Sequence, residues 1–223
     1  MKSLFSVVLS LALAAIFLPI NCDAVELRVS PSNTTIHVGE PVDFELLVVN
    51  PGEKAVSGVF VPISAGFAGL TLEISGPAKF ATYIFAYDET ADDMFYQPTI
   101  LEPGAARKGT FHVLYDMRKN CYVFDEPGEY ELKFDLRWDW SVESSSHAVA
   151  AVTVKVLAWD EEKASSALEA LRLWTDRNIA YAYQCGGRVL EGESLDKLAR
   201  LKTEYGNTIY GQLATTLLDR AQR

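Results

Sequence analysis

The sequence predicts a mainly β chain with an α appendage: an antiparallel β-sandwich of about seven to nine strands followed by about three C-terminal helices. Three observations carry this. Short alternating segments recur from Val25 to about Leu157, with turn residues between them roughly every 8 to 15 positions. The stretch Glu129 to Trp140, EYELKFDLRWDW, puts an apolar residue at every even position and a charged one at every odd position, the period of a strand with one wet face. After Trp159 the apolar spacing becomes helical.

The N-terminus reads as a leader. Lys2 supplies an early positive charge, an apolar run extends from Leu4 to Ile20, and Cys22 and Ala24 are small residues suited to a cut after Ala24. The run ends near Pro19, short of the roughly 20 apolar residues that a permanent span needs, so residues 1–24 are expected to be removed. Cys22 raises lipid attachment as an alternative. Pro19 and Asn21 stand where a lipoprotein signal has a leucine and a small residue, which speaks against it. The expected location is therefore secreted or periplasmic, with no stable membrane span after cleavage.

The formal net charge is −10, and loss of Lys2 and Asp23 with the leader leaves it unchanged. Such a surface lacks the positive charge that nucleic acid or an anionic bilayer requires of a partner. Two cysteines remain, Cys121 and Cys185, in a compartment expected to be oxidising, which makes them a candidate disulfide. It would close a loop of about 65 residues, worth about 4 kcal/mol in the chain-entropy account.

Within residues 25–157 the strands follow in order. Val25 to Ser30 alternates and breaks at Pro31-Ser32-Asn33; Pro41 to Asn50 carries Val42, Phe44, Leu46 and Val48 on one face and ends in the turn Asn50-Pro51-Gly52. Val56 to Ile63, Gly69 to Ser75, Ala81 to Tyr87, Lys108 to Asp116 and a short Cys121 to Phe124 come next. Asp125-Glu126-Pro127-Gly128 turns into Glu129–Trp140, and His147 to Leu157 is the last strand.

Glu126-Pro127-Gly128-Glu129-Tyr130 resembles the entry to the penultimate strand of immunoglobulin-like domains, where a tyrosine hydroxyl bonds back to a tight turn. With Val42 to Asn50 running into Pro51-Gly52, and Leu101-Glu102-Pro103-Gly104 before the strand at Lys108, the region is similar to Ig-like domains of secreted bacterial proteins. The resemblance implies the sandwich and gives Tyr130 the corner role. It departs from antibody-type domains at Leu132, where they carry their second cysteine.

Residues 158–223 form the helical segment, expected to pack on the sandwich. Asp160-Glu161-Glu162 suits a helix start, Ala164, Ala167, Leu168, Leu171 and Trp174 follow at helical spacing, and Gly186-Gly187 stops a helix reaching about Gln184. Ser194 can cap a second helix bearing Leu195, Leu198, Leu201 and Tyr205; Asn207 or Thr208 can cap a third bearing Tyr210, Leu213, Ala214, Leu217 and Leu218. The run EYGNTIYG, Glu204 to Gly211, resembles the turn of tetratricopeptide-like helix pairs, here in a single copy.

Motifs for chemistry are sparse. His37, His112 and His147 sit in or beside different strands without a second ligand at metal spacing, so ordinary surface or edge roles are expected. Cys121 has no flanking catalytic motif, and no nucleophile elbow, phosphate loop or dinucleotide glycine pattern is present. Asp88-Glu89-Thr90-Ala91-Asp92-Asp93 offers hard oxygen ligands but not the EF-hand order, which favours a solvated loop over a calcium site. Asn33-Thr34-Thr35 has the form of an N-glycosylation acceptor.

Trp138 and Trp140 lie on the same side as Leu132, Phe134 and Leu136, at the end of an unusually long strand. Burial beneath the helical tail is expected; exposure as a ligand surface and a break in the strand are the alternatives. The expected function is a non-catalytic extracytoplasmic binding, scaffold or accessory protein, with a protein or glycan partner and no cofactor. One alternative is a carbohydrate-binding module using Trp138 and Trp140. A second is a hydrolase or metal-dependent enzyme built on histidines and acidic residues.

Overall fold

Alternation decides the sandwich. In Val42–Val49 (β3) the side chains of Val42, Phe44, Leu46 and Val48 are buried, and in Gly128–Arg137 (β12) those of Tyr130, Leu132, Phe134 and Leu136 are fully buried while Glu129, Glu131 and Lys133 stay wet. Burying each of these large side chains contributes about 1.5–3 kcal/mol. A one-residue slip in either strand would send the whole set into water, so register is strongly specified.

The computed structural model describes residues 25–58, 62–63, 66–67, 69–77, 99–116, 119–138, 147–160, 164–184 and 190–221. The leader with Cys22, the expected strand Ala81 to Tyr87, the acidic stretch Asp88 to Asp93, Trp140 and Cys185 lie outside them.

Two sheets face each other. One has the order β1-β3-β9, where β1 is Glu26–Pro31 and β9 is Ala106–Val113, all antiparallel. The other has the order β2-β13-β12-β7, where β2 is Thr35–His37, β7 is Leu70–Ser75 and β13 is His147–Leu157. The β12–β13 and β12–β7 pairs are antiparallel, whereas β2 runs parallel to β13. These seven strands fall within the expected number, and the arrangement is an Ig-like sandwich. Six shorter strands form three two-stranded pieces: β4 (Val56–Gly58) with β8 (Thr99–Leu101), β5 (Pro62–Ile63) with β6 (Gly66–Phe67), and β10 (Tyr115–Asp116) with β11 (Cys121–Tyr122).

Phe134 is the centre of the inter-sheet core: its ring lies 5.1 Å from Phe44 and 5.9 Å, edge to face, from Phe111 of the opposite sheet. The corner implied for Tyr130 is present, its hydroxyl donating to the Glu126 carbonyl at 2.9 Å. Gly76 makes room for it, since a Cβ there would lie 2.7 Å from the Tyr130 ring.

The helical segment differs from expectation in number. Helix α1 (Ser165–Trp174) and α2 (Arg177–Gln184) replace a single helix to Gln184, followed by α3 (Glu193–Glu204) and α4 (Ile209–Ala221). Asp176 explains the break, because its Oδ1 accepts the backbone N–H groups of Asn178 (2.9 Å) and Ile179 (3.3 Å) and so caps α2. Ser194 is not the cap of α3; it is buried and donates to the same Asp176 oxygen at 3.1 Å, while Lys197 reaches Asp176 Oδ2 at 2.9 Å. Thr208 does cap α4, accepting the Gly211 N–H at 3.2 Å. The turn is tight enough that a Cβ at Gly211 would lie 2.1 Å from the Tyr205 carbonyl oxygen. The pair α3–α4 is a single hairpin, and the tetratricopeptide-like reading gains no further support. Among the described residues no helix is long and apolar enough to cross a membrane.

Candidate functional site at the seam between sandwich and helices

The chemistry-bearing side chains gather where the helices meet the sandwich. The β10–β11 hairpin makes the junction two-sided. Val113 and Val123 point into the sandwich core, as does half-buried Cys121, whereas Leu114, Tyr115 and Tyr122 pack into the core formed by the helices. The chain therefore does not run straight from Lys108 to Asp116 as one strand: it is interrupted at Leu114, which turns outward to meet the helices.

Helix α2 delivers two groups to this hairpin. The Gln184 side-chain amide pairs with the Tyr115 backbone in both directions, accepting its N–H at 2.8 Å and donating to its carbonyl at 3.1 Å, as a neighbouring strand would. Tyr183 donates its hydroxyl to Asp43 Oδ1 on β3. That same oxygen pairs with His112 Nδ1 at 2.7 Å, because Asp43 and His112 stand directly opposite each other in the β3–β9 ladder. Burial pushes the Asp43 carboxyl up, but the hydrogen bonds from His112 and Tyr183 outweigh it and hold it below its usual range, helped by the charges of His112 and Arg220. The Tyr183 phenol is pushed strongly up by burial and then by the Asp43 charge, so it stays protonated and donates.

A second set of contacts ties the start of the tail to the β2–β3 turn. Trp159 donates its Nε1–H to the Val38 carbonyl at 2.9 Å and stacks on His37 at 4.2 Å and 17°. Glu40 accepts the His37 N–H at 2.7 Å. Gly39 has φ of 79°, a left-handed conformation that favours glycine, and a Cβ there would lie 2.7 Å from the Leu171 methyl of α1. Tyr122 completes the set by donating to the Trp174 carbonyl at 3.0 Å.

The three histidines do not converge. His37 sits 3.7 Å from Glu40, His112 2.7 Å from Asp43, and His147 3.3 Å from Asp135 on the wet face of β12. Among the described residues no group of three His, Cys, Asp or Glu side chains is placed to hold a metal ion.

Trp138 is buried at 4% exposure and belongs to the sandwich core, continuing the even-numbered face of β12. Among the described residues Cys121 carries a free thiol and no disulfide is found; Cys185, its expected partner, lies outside them. Cys121 packs against the sandwich core, whereas its neighbour Tyr122 packs against the core of the helices. Burial first, then the charges of Asp125 and Asp116, push the Cys121 thiol up, which disfavours the reactive thiolate. Asn33 lies exposed in the turn between β1 and β2.

Asp43, His112, Tyr183 and Gln184 escaped the sequence reading as a group. Their signal is the cross-strand pairing of β3 with β9, and the partners in each contact to α2 are 69 to 140 positions apart.

No protein-family model matches this chain, and neither does any curated protein sequence. Solved structures with similar folds include the sporulation control protein Spo0M from Bacillus subtilis, at 16% identity and a TM-score of 0.40, covering 67% of this chain and 55% of that one. The CARDB domain of the PF1109 protein from Pyrococcus furiosus gives 15% identity and a TM-score of 0.34, over 60% of this chain and 87% of that one. A β-glucosidase from Listeria innocua gives 16% and 0.32, over 60% of this chain and 16% of that one. The chain thus spans about half the length of Spo0M. Matches at this level assign neither a family nor an activity.

Proposed function

We propose that this is a non-catalytic extracytoplasmic binding, scaffold or accessory protein, in which an Ig-like sandwich carries a firmly docked helical appendage. The observation behind this reading is the use to which the polar side chains at the seam are put. Asp43, His112, Tyr183, Gln184 and Trp159 are each joined to a partner across the junction or beside it, in pairs that hold two parts together. Asp43 accepts two hydrogen bonds on one oxygen, and Tyr183 is buried and protonated, so neither is poised as a base. The leader-like residues 1–24 support an extracytoplasmic location.

The carbohydrate-binding alternative needs the Trp138 and Trp140 indoles to present a flat face to solvent, and burial of Trp138 in the sandwich core removes half of that face. An enzymatic role for the Asp43–His112 pair is the reading to test against. The native protein should be recovered from the extracytoplasmic fraction beginning at Val25, and it should show no turnover of ester, glycoside or phosphate reporter substrates. Retention of Met1 in a cytoplasmic pool, or turnover abolished by His112→Ala in a variant that still folds, would overturn the proposal.

A further inference from the structure

Strand β13 has an edge that the protein covers in part. It pairs with β12 in an unbroken register from His147 opposite Arg137 to Val156 opposite Gly128, whereas β2 takes up its other side only at Lys155–Leu157. The Lys155 N–H donates to the Thr34 carbonyl at 2.8 Å and the Leu157 carbonyl accepts the Val38 N–H at 3.1 Å, so the odd positions of β13 aim their backbone groups away from β12. By the same alternation His147, Val149, Ala151 and Thr153 present theirs along this edge, where no strand pairs with them among the described residues. β1, which runs close by in the opposite sheet, bonds to β3 instead.

Natural sheets protect an open edge with charge, proline or bulges. β1 does so, with Glu26 and Arg28 exposed and Pro31 at its end. β13 does not: Ala148 to Val154 reads AVAAVTV, without a charge, a proline or a break in register. Its outward Val149 is 46% exposed, and on the inward side Ala150 and Val152 are only half-buried, although Ala148, Val154 and Val156 are buried. The incompletely covered core-facing side chains thus sit in the middle of the unpaired window.

We propose that this edge pairs with the same edge of a second copy of the chain, antiparallel about a two-fold axis at Ala150, to make one continuous sheet. Odd positions must face odd ones for the backbone groups to meet, which sets His147 opposite the partner's Thr153 and Val149 opposite the partner's Ala151. On the inward side Ala150 meets its own counterpart and Val152 meets the partner's Ala148, so each half-buried side chain gains an apolar neighbour. No like charges face each other in this register. β2 bounds the window at one end, and the two-fold places the partner's β2 past the other, so the free lengths match. A neutral window of small side chains that fits its own reverse favours a second copy over a foreign strand.

Mass and cross-linking test this in the purified protein. Sedimentation should give twice the mass of one chain in the micromolar range. Ala151→Pro removes an edge N–H without removing a bond to β12, and it should halve that mass while the sheet signal is retained. Ala150→Cys places a thiol on the axis, where opposed Cα atoms about 4.5 Å apart lie within disulfide range, and oxidation should link the chains. Thr153→Cys, exposed but about 20 Å from its counterpart, should link no more than the wild type. A single chain at every concentration, a dimer that a folded Ala151→Pro variant leaves intact, or equal linking at positions 150 and 153 overturns the proposal. If Ala151→Pro fails to fold, the two cysteine variants decide alone. A single chain that captures a foreign extended peptide on this edge assigns the edge to that occupant instead.

Discussion

The sandwich and the helical appendage each have a hydrophobic core, but they are built on different terms. Among the described residues the sandwich core draws only on sandwich strands and their turns, and its large side chains are fully apolar apart from Tyr130 and Trp138. The helical core borrows Leu114, Tyr115 and Tyr122 from the β10–β11 hairpin and Trp159 from the connection, and its buried members include Tyr183 and Tyr210. Four helices of 8 to 13 residues are too short to be stable singly, and here they are completed by the sheet. One part is self-sufficient and the other is dependent, so damage should travel in one direction.

The strongest test of that asymmetry is Phe134→Ala. Removing a ring that both sheets contact should cost about 3–5 kcal/mol, and sheet and helix signals should be lost in one denaturant transition, because the helices lose their platform. Leu198→Ala, in the helical core, should cost about 2–5 kcal/mol but spare the sandwich. Far-ultraviolet helix signal should then melt before the tryptophan fluorescence of Trp138; coincident loss would show the two parts to be one cooperative unit.

Gln184→Ala removes both hydrogen bonds to the Tyr115 backbone and should cost about 1–3 kcal/mol, read as earlier protease cleavage within the helical segment. Tyr130→Phe removes one hydrogen bond from the sandwich alone, about 1 kcal/mol, and should lower the sandwich transition without separating the two.

The smallest effect is that of pH. Asp43 has its carboxyl held below the ordinary range in the folded state, so its contribution to docking is complete above the unfolded value of about 3.9 and lost as pH falls through the lowered folded value. Asp43→Asn should therefore weaken docking at neutral pH and flatten the acid limb of the stability curve. An acid limb identical to that of the wild type would remove Asp43 from the latch.

Legibility followed the range of the interaction. The strand His147–Leu157, the inward face Tyr130 to Leu136 and the Tyr130 corner were all readable, since each depends on neighbours within a few positions. Thr175-Asp176 could have been read as a helix break, but the helical spacing of Leu171 and Trp174 with the following apolar residues masked it. Leu195 was expected on the packed side of its helix and is 39% exposed, because α3 faces its neighbours through Leu198 and Leu201. Asn50 reads locally as a turn residue, yet it is fully buried and donates to the carbonyls of Lys54 (2.7 Å) and Leu101 (2.8 Å), the latter 51 positions away.

The sequence by itself determined the two-part organisation, the β and α character of each part and which side of each long strand is dry, because period and turn chemistry are local properties of the chain. Only the tertiary structure decided that Trp138 belongs to the sandwich core, that Cys121 packs against the sandwich core and that Asp43, His112 and Tyr183 form one cluster. Those outcomes depend on which strands become neighbours and on how the helices seat against the β10–β11 hairpin. Pairing across more than a hundred positions is selected by the free energy of the whole packed arrangement, and no short stretch of residues encodes it.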